Sequence, residues 1–219
     1  MIINGVKQTD FKVLSSKLIP LENQDSNEFI GNNPIINEGN INFGRLELKL
    51  FISADTKDNL DIKISNLVSK LRNCVIQLEN SSLEYVGSIN SNVSISPITA
   101  LHYEITLSIK GYSRGVLQTY ITDSNNYKIN IEGNRECGIV ISYTATIDHI
   151  DLNLCGYEIE NIKKNDLIIL DGIRKKVTKN GVNCFLDTNI FKFPSLKPGE
   201  NTLISDVSNI KIQYYPLYY

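Results

Sequence analysis

Residues 45–53 alternate between apolar and polar side chains in a way that predicts a half-buried strand. The apolar side chains on one face are Leu46, Leu48, Leu50 and Ile52, and the polar ones on the other are Arg45, Glu47 and Lys49. Phe51 interrupts the polar face. We therefore expect Phe51 to be an exposed aromatic that meets a second covering layer or a partner.

The next segment changes from the period of a strand to that of a helix. Its apolar residues recur at i, i+4, i+7, i+8 and i+11, at Leu60, Ile64, Leu67, Val68 and Leu71. This spacing predicts a helix over residues 57–72, with Thr56 or Asp55 as its N-cap. Lys70 and Arg72 lie near its negative end. No other segment of the sequence predicts a helix as strongly.

After the helix, the first half of the chain returns to strands. Apolar runs and alternation predict strands at Cys74–Leu78, Leu83–Gly87, Val93–Ser96 (ended by Pro97) and Leu101–Lys110. The glycines of Gly111–Gly115 then indicate a domain boundary. We therefore divide the chain into domains at residues 1–112 and 113–219.

The second half of the chain predicts a β-sandwich. Short apolar segments recur every 8–12 residues without a helical run, as expected for such a fold. Asn180-Gly181 is typical of a tight hairpin, and turns are predicted at Asp171-Gly172 and Pro198–Asn201. The predicted strands are Val116–Ile121, Tyr127–Ile131, Gly138–Thr146, Ile150–Cys155, Leu167–Leu170, Lys175–Lys179, Val182–Leu186 and Ile210–Tyr214.

Residues 22–44 stand apart from these patterns. The segment is rich in Asn and contains Gly31, Pro34, Gly39 and Gly44. A long irregular connection inside a compact domain is commonly either functional or disordered. Two interpretations stay open: an arm ordered against a neighbouring subunit, or a flexible loop.

Composition and charge exclude several classes of protein. The net charge is −2, with no basic block, which does not favour nucleic-acid recognition. No apolar run reaches the ~18 residues of a membrane span, and the first residues lack the pattern of a signal peptide. The four cysteines are too far apart for a metal knuckle, and we expect buried free thiols at Cys74, Cys137, Cys155 and Cys184.

Candidate catalytic and metal sites are lacking in the sequence. None of the common hydrolase, metalloprotease, P-loop or dinucleotide-binding motifs occurs. His149 lies between Asp148 and Asp151, but along a strand these side chains do not converge. His102 is expected to be an ordinary surface histidine. We therefore assign no catalytic, cofactor-binding or metal-binding residue, and predict a scaffold or binding module.

The order of several segments resembles one family. The chain opens with Ile3-Asn4-Gly5, passes from the strand at 45–52 into the helix, and continues through Val75–Leu78 and Leu83–Gly87. Its second half contains 129–134, 138–142, 167–171, 177–183 and, most specifically, Phe191-Lys-Phe-Pro-Ser-Leu-Lys-Pro-Gly-Glu-Asn201. Over the whole chain this resembles the distal tail (Dit) proteins of siphovirus-type phages that infect Gram-positive bacteria.

The resemblance implies a fold and a role. It implies an N-terminal β-sandwich with one helix that packs into a hexameric ring, and a C-terminal galectin-like β-sandwich outside it. The ring would join the tail tube protein to the tail-associated hub protein and carry receptor-binding proteins, at the virion tail tip. DNA would pass through the lumen without specific binding, which a mildly acidic protomer suits. Phe51 and the arm at 22–44 are candidates for the contact between subunits.

Two other classes of function remain at this point. The galectin-like scaffold could be a carbohydrate-binding module, with Tyr143, Tyr157 or Tyr214 stacking on a sugar. A cell-wall hydrolase or protease would need carboxylates from distant strands, to which the charge pattern gives no pointer.

Overall fold

The computed structural model describes residues 1–19, 27–30, 33–36 and 44–218. The chain divides into two compact units. Unit 1 consists of residues 1–114, and unit 2 of residues 115–218.

Unit 1 is built on one antiparallel sheet. Its strands are β1 (Ile2–Ile3), β2 (Val6–Lys7), β3 (Phe11–Ile19), β4 (Asn27–Ile30), β5 (Asn33–Ile36), β6 (Gly44–Ser53), β7 (Cys74–Gln77), β8 (Glu84–Thr99) and β9 (His102–Arg114). The order across the sheet is β2-β1-β7-β8-β9-β6-β3. β4 and β5 form a separate hairpin.

The long central strands bury every second side chain. In β6 the four predicted apolar residues are at most 2% exposed, which confirms the half-buried strand. Register places Leu48 opposite Leu107 and Leu50 opposite Ile105, so that β6 and β9 supply neighbouring rows of one core. The centre of unit 1 is therefore formed by two strands, β6 and β9, in which every second side chain is apolar and buried.

Helix α1 (Lys57–Lys70) covers the core face of this sheet. The Thr56 side chain accepts a hydrogen bond from the Asn59 backbone N–H at 3.2 Å, so the predicted N-cap is confirmed. The helix ends two residues before the predicted end, with Leu71 as its C-cap. Leu60, Ile64 and Leu67 are buried, as the stripe predicts.

Three glycines lie side by side across the sheet. Gly111 pairs with Gly44 on one side and with Gly87 on the other. A Cβ on Gly87 would lie 2.5 Å from the Lys110 carbonyl oxygen, and one on Gly111 would overlap the Val86 carbonyl. The single Tyr85 hydroxyl proton is shared between the Gly44 and Ile109 carbonyl oxygens, which lie 2.9 and 3.2 Å from the hydroxyl oxygen. The missing side chains allow the strands to approach closely in this part of the core.

Two predicted strand ends in unit 1 are wrong. β8 continues through Pro97. Proline has no backbone N–H to donate, but none is needed on the side away from β9, because β7 pairs only with residues 84–87 and no other described strand lies there. β9 likewise continues through Gly111 to Arg114, because Gly111 is paired within the sheet rather than in a turn.

Unit 2 contains shorter strands in several sheets. They are β10 (Gln118–Ile121), β11 (Asn126–Ile131), β12 (Cys137–Thr144), β13 (His149–Leu154), β14 (Tyr157–Ile162), β15 (Leu167–Asp171), β16 (Lys176–Lys179), β17 (Val182–Asn183), β18 (Ser195–Leu196), β19 (Gly199–Ile204), β20 (Lys211–Tyr214) and β21 (Leu217–Tyr218). The largest sheet has the order β10-β20-β12-β15-β16-β17. β11 pairs with β19, and β13 with β14.

Tight turns connect these strands. Asn180 and Gly181 both have positive φ, at 53° and 82°, and join β16 to β17, so the predicted hairpin is confirmed. The predicted turn after Asp171 is also present, because its carboxylate accepts from the N–H groups of Ile173 and Arg174.

Three predictions for unit 2 are wrong in detail. The hairpin partner β14 was not predicted, because its apolar residues lie between several carboxylates. β19 begins at Gly199, inside the segment predicted as a turn. Residues Phe185–Asp187 form a 3₁₀ turn rather than the end of a strand. The fold class itself, mainly β with β-sandwich character and one α-helix among the described residues, is confirmed.

Candidate assembly surfaces

The polar face of unit 1 is formed by the side chains of β3, β6, β8 and β9 that point away from the core. It carries six cations, Lys12, Lys17, Arg45, Lys49, Lys110 and Arg114, and three carboxylates, Glu47, Glu84 and Glu104. Ion pairs join Lys49 to Glu104 and Arg114 to Glu84, each at 2.9 Å. This face is therefore positively charged, although the whole chain has a net charge of −2.

Phe51 does not have the exposed ring that we predicted. It is half-buried and stacks on the His102 imidazole, with ring centroids 5.7 Å apart. His102 is exposed, as predicted, and hydrogen-bonds through Nδ1 to the Thr99 hydroxyl at 2.6 Å. The neighbouring strand therefore covers the aromatic ring that the sequence left without a partner.

The predicted arm at 22–44 lies largely outside the described residues. β4 and β5 within it are described as a hairpin. The interpretation of this arm as a contact between subunits therefore stays a prediction.

β3 forms an edge of the unit 1 sheet that the sequence did not predict. Among the described strands it pairs only with β6. A bulge after Val13 shifts the register, and Leu14 and Leu18 are 46% and 51% exposed. An edge strand offers unpaired N–H and C=O groups to another chain. The bulge also explains why no alternation is visible at residues 11–19.

The residues considered for metal binding do not converge. Asp148 accepts from the Lys164 backbone N–H at 2.8 Å, and this hydrogen bond lowers the pKa of its carboxyl. Asp151 lies opposite Glu160 on the neighbouring strand instead of facing His149. Within the described part of the chain, no group of three or more His, Cys, Asp or Glu side chains could hold a metal ion.

All four cysteines are buried, as predicted. Burial raises the pKa of Cys74 and of Cys137 to about 11. These thiols are therefore protonated at neutral pH and act as small apolar side chains.

Two of the three tyrosines considered as sugar platforms are unavailable for stacking. Tyr143 is 4% exposed and Tyr214 is fully buried, so that prediction is wrong for both. Tyr157 is half-buried and packs against the core of unit 2. The described residues thus give the carbohydrate-binding alternative little support.

Several residues of the segment at 191–201 pack within unit 2, although Phe191 is 96% exposed. Phe193 stacks on Phe185 at 5.8 Å, and the Pro194 carbonyl lies against Gly172, where a Cβ would overlap it. The Asn201 side-chain amide donates to the Lys197 and Gly199 carbonyls, at 2.8 and 2.9 Å. The most specific part of the sequence resemblance is therefore a packing element.

Comparison with solved structures finds this fold in proteins of two phages. The Dit protein of phage SPP1, described as a paradigm of the hub adsorption apparatus in phages that infect Gram-positive bacteria, aligns with 100% of this chain and 98% of its own, with a TM-score of 0.78 at 13% identity. The chain has the fold of a Dit protein. The Dit fold also aligns with chains from the activated phage P2 baseplate with Ca and with Sr, with TM-scores of 0.56 and 0.53 at 8% and 9% identity, over 95% and 94% of this chain and 91% and 90% of those chains.

Sequence comparison does not detect this likeness. Neither a protein-family model nor a curated protein matches the chain. A helix long and apolar enough to cross a membrane is not found among the described residues of this Dit fold.

Proposed function

We propose that this protein is a structural component of a phage or phage-derived tail tip, where copies of the chain form a hexameric ring. The observation that carries this proposal is the alignment of the whole chain with the whole SPP1 Dit protein. A likeness spanning both units supports a shared architecture better than a match to one module, because single folds host many functions.

The two units have different roles in this proposal. Residues 1 to about 112 build the ring, and the remainder is a galectin-like sandwich directed outward. A ring requires a heterologous interface, in which one face of a subunit meets a different face of the next. The edge of β3 that has no partner among the described strands, with exposed Leu14 and Leu18, supplies one such face. Pairing with a strand of another copy would satisfy its backbone groups.

The ring links the tail tube protein to the tail-associated hub protein at the virion tail tip, and its outer units carry receptor-binding proteins. DNA passes through its lumen. Because cations directed at phosphate would retain DNA, we expect the assembled lumen not to be strongly basic. The excess of cations on the polar face of unit 1 must then be neutralised or covered in the ring.

The proposed role requires no catalysis. Protonated thiols at Cys74 and Cys137 are poor nucleophiles, since the thiolate is the reactive form. Support for a scaffold also comes from Asp148, whose carboxylate binds a backbone N–H within its own unit.

Light scattering and negative-stain imaging of the purified full-length chain test the proposal. We expect the mass of a hexamer and rings with a central hole. A strict monomer at every concentration that also fails to assemble on tail tubes would contradict it.

A further inference from the structure

Two turns of this chain have the sequence Asn-Gly, and their backbones are nearly the same. Asn4-Gly5 joins β1 to β2, and Asn180-Gly181 joins β16 to β17. The φ angles are 50° and 78° in the first turn and 53° and 82° in the second. Both are two-residue hairpin loops of the kind that Asn-Gly favours. The sequence contains no further Asn-Gly pair.

Both asparagines also bridge to the next strand of their sheet in the same way. The Asn4 backbone N–H donates to the Val75 carbonyl oxygen, and Asn4 Oδ1 accepts from the Val75 N–H, each at 2.8 Å. The Asn180 backbone N–H donates to the Leu167 carbonyl oxygen, and Asn180 Oδ1 accepts from the Leu167 N–H, each at 2.9 Å. The two side-chain carbonyl groups are therefore held alike.

The side-chain amino groups of the two asparagines differ. Nδ2 of Asn180 donates to the Asp166 carboxylate at 2.7 Å, and this carboxylate also accepts from the Lys163 N–H at 2.8 Å. Nδ2 of Asn4 has no hydrogen-bond partner among the described residues, and Asn4 is exposed to solvent. Hydrogen bonds to a carboxylate are stronger than those between neutral groups. One side-chain amide is thus anchored at both ends, and the other at one end.

An Asn-Gly pair has a covalent chemistry of its own. The glycine backbone nitrogen loses its proton to a base in solution and attacks the side-chain carbonyl carbon, Cγ, of the asparagine. The new N–Cγ bond closes a succinimide ring, the Cγ–Nδ2 bond breaks, and the amino group leaves as ammonia with a proton from water. A second water molecule then opens the ring at either carbonyl and leaves aspartate or isoaspartate. Glycine favours the attack because it has no side chain to obstruct it.

We propose that Asn4 is a site of spontaneous deamidation in the folded protein and that Asp166 protects Asn180 from the same reaction. For Cγ to meet the glycine nitrogen, the side chain must rotate, and this breaks the Oδ1 hydrogen bond in either turn. At Asn180 the bond to Asp166 must break as well, and Asp166 holds the nitrogen that has to leave. A hydrogen bond to a charged group makes the rotated state at least ~10-fold rarer. The inference does not depend on the proposed function.

Deamidation at Asn4 alters one edge of the unit 1 sheet. β2 is the terminal strand of that sheet and pairs only with β1 among the described strands. Aspartate at position 4 keeps an oxygen that can accept from the Val75 N–H, whereas isoaspartate adds a methylene group to the backbone within the turn. The lengthened loop no longer fits the pairing of Ile3 with Val6. Isoaspartate at position 4 therefore separates β2 from β1.

Peptide mass spectrometry of the full-length chain, aged at neutral pH and physiological temperature, tests the proposal. Each rate of deamidation is divided by the rate at the same asparagine in urea, which removes the effect of the neighbouring residues. We expect the resulting ratio to be at least ~10-fold higher at Asn4 than at Asn180. Isoaspartyl methyltransferase should label position 4, and the rate should rise with pH, because the attacking nitrogen is deprotonated. Equal ratios, or an Asn4 that is stable in the folded chain, would overturn the proposal.

Asp166→Ala isolates the cause of the protection. It removes the acceptor of Nδ2, so Asn180 should then deamidate with a ratio close to that of Asn4. The matched control is Asp148→Ala, because Asp148 also accepts from a backbone N–H of this loop, that of Lys164, without a hydrogen bond to Asn180. This control should leave Asn180 as stable as in the wild type. An unchanged Asn180 in the Asp166 variant, or equal acceleration in both variants, would show that the anchoring bond is not the cause.

Gly5→Ala tests the consequence for β2. A Cβ at Gly5 meets no atom within 4 Å, but it obstructs the attack, so deamidation at Asn4 should be suppressed. Hydrogen exchange of residues 2–7 should rise with age in the wild type, as isoaspartate accumulates, and stay constant with age in the variant. An equal rise in both would show that β2 loosens without deamidation and would contradict the inference.

Discussion

Unit 1 and unit 2 are both β structures, but they are specified by different features of the sequence. Unit 1 relies on long strands, the longest of which is the 16-residue β8, and its described residues with positive φ are Asn4 and Gly5. Unit 2 relies on short strands and turns, and its positive-φ residues include Cys155, Asn180 and Gly181. Register across long strands therefore defines unit 1, whereas local turn chemistry defines unit 2.

The same difference gives the two units different kinds of surface. Long strands in register bring Arg45 next to Lys110 and leave β3 as an extended edge. Turn-rich unit 2 instead exposes apolar side chains on its loops, such as Leu186 and Phe191, each 96% exposed. A single protomer thus presents a broad charged face and a set of projecting loops, two kinds of surface that suit two kinds of partner.

The largest expected loss of stability comes from a substitution that disrupts the close packing of unit 1. Gly111→Val would place a side chain into the Val86 carbonyl, so we expect a loss of at least about 4 kcal/mol in the stability of unit 1. The control Gly156→Ala in unit 2 meets no atom within 4 Å and should cost about 1–2 kcal/mol, for its positive φ alone. Hydrogen exchange measured on peptides of each unit would show which unit loses protection; equal losses would contradict the comparison.

The second-largest expected loss of stability comes from a substitution in helix α1. Leu67→Ala removes a buried side chain between α1 and the sheet, and we expect a loss of about 3 kcal/mol, since such substitutions leave a cavity. Ile62→Ala on the same helix is the control, because Ile62 is 57% exposed. Urea unfolding monitored by hydrogen exchange in unit 1 checks both variants, and equal destabilisation would show that α1 does not cover the core.

Much of unit 1 could be predicted from the sequence, and the reasons are physical. The alternation at 45–52 and the apolar stripe from Leu60 to Leu71 are local periodicities. Each element can therefore be predicted from the residues of its own segment. The bulge at Leu14 and the continuation through Pro97 depend on which strand lies alongside. Those features require knowledge of neighbours that no local pattern contains.

The candidate surfaces were largely beyond prediction for the same reason. Arg45 and Lys110 are 65 positions apart, and only the register of β6 with β9 brings them together. Asp151 and Glu160 are adjacent only once β14 is recognised. Phe51 was misassigned because His102, which covers its ring, lies on the neighbouring strand of the sheet but 51 positions away in the sequence.

Alkaline pH should produce a smaller effect that is shared by both units. Burial raises the pKa of Tyr85 and of Tyr214 to about 12, above the ordinary value of 10.0. The unfolded chain therefore loses these protons first, so the stability they contribute is complete below pH 10 and is lost as pH rises toward 12. Tyr85→Phe should weaken this dependence in unit 1 only, and should cost about 1–2 kcal/mol at pH 7, because the buried hydroxyl and the hydrogen bond that it donates to the Gly44 and Ile109 carbonyls are lost. Urea titrations at pH 7 and pH 11 check this, and a dependence unchanged by Tyr85→Phe would contradict it.

The smallest expected effect belongs to the turns of unit 2. Gly181→Ala, at φ +82°, has open space and should cost about 1 kcal/mol, confined to the β16–β17 hairpin. Hydrogen exchange of residues 176–183 is the measurement. Loss of protection throughout unit 2 would show that its turns are coupled more strongly than the comparison implies.

An electron cryo-microscopy reconstruction of the assembled full-length chain, alone or on a tail, tests the central claim most directly. The account predicts a hexameric ring in which unit 1 surrounds the channel and unit 2 faces outward. A ring lined by unit 2, or an assembly without a central channel, would contradict it.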